Sequence, residues 1–195
     1  MVIFCAGIDL SASESKPSGV SVLAIRENAE IELLFVGRLR GDEEIVDTLL
    51  RYGARLVAVD SPLSLPRGRY YRNVDLKLKR MGFNVLPPAW RAMTQLTLRT
   101  MRLAEELKRH GVLVLETHPS SCVKASGCRT FQELVTAISL KVPANLCRDE
   151  KDAVIAALAC VFHVTGRSVV VEADDGTVVL LPRICSSDPS QRLGS

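Results

Sequence analysis

Five acids in this chain of 195 residues stand where their chemistry can be used. Asp9 comes at the end of the apolar run from Val2, Asp60 closes Leu56-Val-Ala-Val, and Glu116 closes Val112-Leu-Val-Leu. Asp149 and Asp152 open a run, 153–162, that carries no charge. Three apart, they share one face of a helix. An acid ending an otherwise apolar strand is costly unless exposed or paired, so acids at several strand ends suggest a shared purpose. In open α/β sheets, ligands gather outside the carboxyl ends of the strands. Carboxylates meeting there, with no accompanying His and Cys set, suit Mg2+ or Mn2+ better than zinc. Two such ions, roughly 3.5–4 Å apart, stabilise both the attacking and the leaving oxygen when a phosphodiester is cut. Each acid also has a plainer role open to it. Asp149 can cap its helix and Asp152 can answer the helix dipole, Asp60 before Ser-Pro and Asp9 before Leu-Ser can start turns, and Glu116 can mark a strand end.

The elements that must position these acids follow from hydrophobic periodicity. Residues 2–10, 19–26 and 30–39 read as three strands joined by short turns, an antiparallel meander. Residues 42–52 read as a helix stopped by Gly53, and 55–60 as a short buried strand, which together suggest a parallel crossover. A short helix is expected at 73–81. Pro87-Pro88 introduces a long helix ending near His110, with Trp90, Met93, Thr97, Met101 and Ala104 expected on its core face and Arg91, Arg102 and Arg109 on another. Residues 112–116 form a further strand, a Ser/Cys loop follows Pro119, and a modest helix spans 131–140. The segment 148–162 reads as a helix apolar all round, and therefore buried. Asp174-Asp175-Gly176 is a hairpin turn between strands at 169–172 and 177–181. The fold class is α/β: a mixed sheet, antiparallel first and then parallel, flanked by helices. Residues 1–182 are expected to form one domain and 183–195 a flexible tail.

Composition narrows the function classes. Hydrophobic content of 47% and charged content of 24% are ordinary for a globular protein. No uncharged stretch reaches the roughly 18–20 residues a membrane helix needs, so no membrane partner is expected. The six cysteines lack zinc spacing; Cys5 and Cys160 read as core residues, and a bridge between Cys122 and Cys128 is left open. The cytoplasm is the default compartment. Four Asn and three Gln are few for this length and hint at a thermophilic source. Charge is uneven: residues 67–109 hold eleven Lys or Arg against three acids, a local +8 in a chain of net +3, which leaves −5 elsewhere. A basic middle suits a polyanionic substrate, although solvated helix faces would produce the same count.

The motifs resemble a known family. Gly7-Ile-Asp9-Leu-Ser11, Val59-Asp60-Ser-Pro-Leu63, Arg72-x-x-Asp75, Glu116-Thr-His-Pro119 and Asp152-Ala153 stand in the order found in the DUF429 family, predicted nucleases of ribonuclease H-like fold. The late helix, with Ala156, Ala157 and Ala159, resembles the RuvC branch of that fold. Thr177-Val-Val-Leu-Leu-Pro182 is similar to the family's usual ending, so the resemblance covers about residues 2–182. It implies Asp9, Asp60, Asp149 and Asp152 as metal ligands, Glu116 as a further catalytic candidate, and Mg2+ or Mn2+ as cofactor. Arg72 and Asp75 would order the central loop or face the substrate. Arg69, Lys79, Arg91 and His118 complete the expected substrate-binding set. His118 beside Glu116 can also be a loop histidine packed by Pro119. In relatives the late helix often begins with His before its Asp, whereas this chain has Arg148-Asp149-Glu150. The implied partner is nucleic acid, and a homodimer is an option because RuvC-like resolvases act as dimers. Two other classes stay open. One is an inert nucleic-acid-binding or scaffold protein of the same fold. The other is an actin- or sugar-kinase-like phosphate enzyme, for which the chain lacks a phosphate-loop motif.

Overall fold

The computed structural model describes residues 2–185. Strands β1 (Ile3–Asp9), β2 (Ser18–Ile25) and β3 (Ile31–Leu39) form the expected antiparallel meander. Helix α1 (Gly41–Arg51) returns the chain to β4 (Leu56–Val59), which pairs parallel to β1. After α2 (Asn73–Arg80) and α3 (Arg91–Arg109), β5 (Leu113–Thr117) pairs parallel to β4. Then come α4 (Pro119–Ser126), α5 (Phe131–Ala137), the buried α6 (Arg148–Val164), and the hairpin β6 (Val169–Ala173) and β7 (Gly176–Leu180). Among the described residues the sheet has seven strands in the order β3-β2-β1-β4-β5-β7-β6. It is a mixed ribonuclease H-like sheet. No described helix is long and apolar enough to cross a membrane.

Alternation along the strands divides the core. Ala6, Ile8, Val57 and Val59 pack with Leu49, Leu103 and Leu107 of α1 and α3. Cys5 and Ala58 join the cluster built around α6, in which every residue from Ala153 to Phe162 is buried. Close packing of α6 depends on glycine. A Cβ on Gly7 would lie 2.1 Å from the Ala153 carbonyl oxygen and 2.2 Å from the Ala157 nitrogen, and one on Gly19 would lie 2.1 Å from the Asp149 carbonyl oxygen. The Ser21 hydroxyl donates to the Ala153 carbonyl at 2.8 Å. The first turns of α6 are thereby fixed against β1 and β2.

Several expectations give way. Residues 119–126 form a helix rather than a loop, with Pro119 at its first position, where a missing N–H costs nothing, and Gly127 ending it at φ 75°. The buried stripe of α3 runs through Thr97, Thr100, Leu103 and Leu107, while Trp90 is exposed. Met93, Met101 and Ala104 are only partly buried, because the two polar threonines face inward and the Thr100 hydroxyl donates to Ser61 Oγ at 2.7 Å. Cys128 bonds to Cys185, with Cα atoms 5.1 Å apart, and Cys122 is free and buried. Of the expected tail, Ile184 and Cys185 are held by backbone hydrogen bonds to the Ser126 carbonyl. Residues 186–195 lie outside the described residues.

Candidate active site

Asp9 and Asp60 come together through strand register. Ile8 pairs with Val59, and the Asp60 N–H donates to the Ile8 carbonyl at 2.8 Å. Asp9 and Asp60 therefore sit side by side on neighbouring parallel strands, about 4.8 Å apart at the backbone, and on the α6 face. Asp152 approaches from the start of α6. Burial pushes the Asp9 carboxyl up to about 7, with the charges of Asp152 and then Asp149 adding to the effect. Asp60 is raised well above the usual carboxylate range by burial, by Asp9 and by Asp152. Asp152 is raised by burial and held back by Arg148, whose Nε lies 3.4 Å from its carboxylate. The three acids form one electrostatically coupled group. Asp149 lies at its edge: its carboxylate is 3.4 Å from the Arg38 guanidinium on β3.

Glu116 reaches the site from elsewhere. It pairs in register with Val59, so alternation places it on the face opposite Asp9 and Asp60. Its carboxylate is fully engaged. Oε2 accepts from the Leu63 N–H and from Arg72 Nη1, both at 2.8 Å, and Oε1 accepts from Arg72 Nη2. Arg72, 2% exposed, also binds Asp75 through Nε at 3.1 Å and Nη2 at 2.8 Å, and donates to Ser64 Oγ at 3.1 Å. Burial alone would lower its pKa, but hydrogen bonds to Glu116 and Asp75 raise it on balance. Arg72 thus orders the loop after Asp60, one of the two roles the sequence left open for it. Arg99 has the matching part on the other side. Buried, it binds Asp42 Oδ1 at 2.7 Å and the Ser11 carbonyl at 2.7 Å, bracing the turn that follows Asp9. Neither arginine adds to an exposed basic surface, so the local +8 overstates the charge open to a substrate.

A cavity of about 220 Å3 opens over these acids. Asp9, Asp60, Glu116, His118 and Arg148 line its polar side, and Leu78, Val85, Leu86, Met93 and Leu96 its apolar side. His118 is half-buried, with Nδ1 2.5 Å from Ser121 Oγ, and desolvation lowers its pKa, which favours a neutral ring at neutral pH. Of the remaining substrate-binding candidates, Arg69 and Arg91 are exposed and do not line the cavity, and Lys79 is exposed but tied to Tyr71. Sequence reading missed Arg148 as a site residue. Its signal was the departure from the His that often precedes the helix Asp in relatives.

The donor type suits a hard divalent cation: Asp9, Asp60 and Asp152 are carboxylates whose mutual repulsion a cation would relieve. Among the described residues no three His, Cys, Asp or Glu side chains are drawn together as a ready cage, and repelling carboxylates have reason to stand apart.

The sequence profile of a family described as a protein of unknown function, DUF429, matches residues 7–133. No curated protein sequence matches the chain. Its fold is shared by solved structures of RuvC. The chain is 19% identical to T. thermophilus RuvC in complex with Holliday junction substrate, with TM-score 0.51, and 17% identical to another Thermus thermophilus RuvC structure, with TM-score 0.52. Each alignment covers 86% of this chain and 98% of the other.

Proposed function

The chain belongs to the DUF429 family, and we propose that it is a divalent-metal-dependent nuclease that hydrolyses phosphodiester bonds of nucleic acid. The observation that carries this reading is the coupling of Asp9, Asp60 and Asp152 at the carboxyl edge of the sheet, where Asp9 and Asp60 line a cavity that Arg148 also lines. Asp9, Asp60 and Asp152 would hold Mg2+ or Mn2+, with Asp149 as an outer ligand released from Arg38. The bound cation would supply Lewis-acid activation of water and charge neutralisation at the phosphate. Arg148 balances the acids from the helix start and is exposed enough to turn towards a phosphate oxygen. Neutral His118 can hold a water by its free ring nitrogen. Glu116 and Arg72 keep the loop after Asp60 in place rather than touching the reacting atoms.

Fold likeness to RuvC supports the architecture, and the chemistry rests on the acids. The test is a thermal melt in EDTA, Mg2+ or Mn2+, paired with a cleavage assay on labelled DNA and RNA. Wild type should gain about 3 kcal/mol at a hundredfold excess of metal over its dissociation constant and cut at least one substrate. Asp9→Asn/Asp152→Asn should do neither. Metal stabilisation that persists in the double variant would remove the metal from these acids, and turnover that persists would refute the mechanism.

A further inference from the structure

Tyr70 is 70% exposed and Trp90 53% exposed. Among the described residues neither ring stacks on another aromatic. Both belong to segments that also build the acid cavity. The chain from Asp60 through Ser61 and Pro62 lines that cavity and continues to Tyr70. Trp90 is the N-cap residue of α3, which sends Met93 and Leu96 into the cavity. Between the two segments lies a groove of about 430 Å3, with Arg69 and Tyr70 on one wall and Ala89 and Thr94 on the other. No acid lines it. Arg69 lines it, Arg67 lies between its lining residues Pro66 and Gly68, and Arg91 is two residues from Ala89; all three are exposed, and among the described residues none has an ion-pair partner.

Exposed rings interleaved with unpaired arginines suit a particular polyanion. Phosphates need only the cations, whereas a flat ring gains energy from a base whose face is free, which a duplex does not offer. We propose, on the basis of the nuclease reading, that the strand delivered to the acids is unpaired. Its bases stack on Tyr70 and Trp90, and its backbone is held by Arg67, Arg69 and Arg91. The site thus selects single-stranded nucleic acid, or the unpaired part of a branched one.

Trp90 is the single tryptophan of the chain and follows Ala89 of the groove wall, so its fluorescence reports on that wall. Wild type in EDTA is titrated with a single-stranded oligonucleotide of about 12 nucleotides, a blunt duplex of the same sequence, and a fully paired four-way junction. The single strand should quench Trp90 and bind at least about tenfold more tightly than the duplex. Tyr70→Ala should weaken that binding about 5- to 100-fold with no change in melting temperature. Arg91→Ala should make binding less sensitive to salt. Equal or tighter binding of duplex or junction, an unresponsive Trp90, or an indifferent Tyr70→Ala would each overturn the proposal. Failure to bind any nucleic acid would also overturn it and assign the rings to a protein partner. The titration needs no metal, so its failure leaves the metal-dependent melt intact, and a silent melt leaves the titration intact.

Discussion

Removing one charge from the group of acids should make the metal-free protein more stable. Asp9 titrates at about 7 instead of its usual 3.8 because burial and its acidic neighbours disfavour the charged form. Between those values the native state keeps a proton that the unfolded chain has released. Stability from this group is therefore full below about pH 4 and is lost as pH rises through 7. Moving the carboxyl from 3.8 to about 7 corresponds to about 4 kcal/mol. Asp152 and Asp149 supply part of the shift and relax when Asp9 is neutral, so the gain should be on the order of 2–4 kcal/mol. Asp9→Asn keeps the shape and removes the charge. In EDTA at pH 8 it should melt higher than wild type by roughly 5–15 °C, at about 2–4 °C per kcal/mol for a domain of this size. The difference should vanish near pH 4. With millimolar Mg2+ or Mn2+ the order should narrow or reverse, because only wild type gains the ion. The assay is a pH series of melts with and without metal. An Asp9→Asn protein that melts below wild type in EDTA at pH 8 would refute the repulsion argument.

Three further outcomes test the framework around the acids. Arg72→Met should cost about 3–5 kcal/mol, because it strands Glu116 and Asp75 as buried charges, and adding Glu116→Gln should restore part of that in chemical denaturation. Gly7→Ala places a methyl 2.1 Å from the Ala153 carbonyl oxygen. It should cost about 3 kcal/mol or more and weaken the metal-induced rise in melting temperature, since Asp152 moves with α6. Cys128→Ser opens a bridge between residues 57 apart and should cost up to about 4 kcal/mol in the loop-entropy limit; a reducing agent should destabilise wild type and leave the variant unaffected.

Much of this architecture was legible because periodicity is a local signal. The alternation that marks β1 to β3, the uncharged run of α6 and the acids at strand ends all survive in the structure. What escaped depends on residues distant in sequence. The Cys128 partner lies 57 positions away. β7 enters the sheet between β5 and β6, a placement the hairpin signal does not contain. Arg99 counted as part of the basic middle because its partner Asp42 lies 57 residues away, and the Arg72-x-x-Asp75 motif does not disclose that Arg72 also holds Glu116, 44 residues on. The face of Glu116 depends on a pairing register, and a single residue of offset separates it from Asp9 and Asp60. Helix α4 could have been found: Pro at the first position and Gly after the last are local punctuation.

The turn of the terminal hairpin reaches back about a hundred residues. Asp175 Oδ1 accepts from the Val74 N–H at 3.1 Å and Oδ2 from the Asn73 N–H at 2.5 Å, and the Ser64 hydroxyl donates to the Asp175 carbonyl at 2.6 Å. The first turn of α2 is therefore capped by residues that are synthesised long after it. As the chain leaves the ribosome, β1 to β5 can assemble early, but the cavity wall formed by α2 stays loose until the hairpin docks. Such a distant closure slows the final folding step. It also means that the wall of the acid cavity lacks this brace until residue 175 has been synthesised.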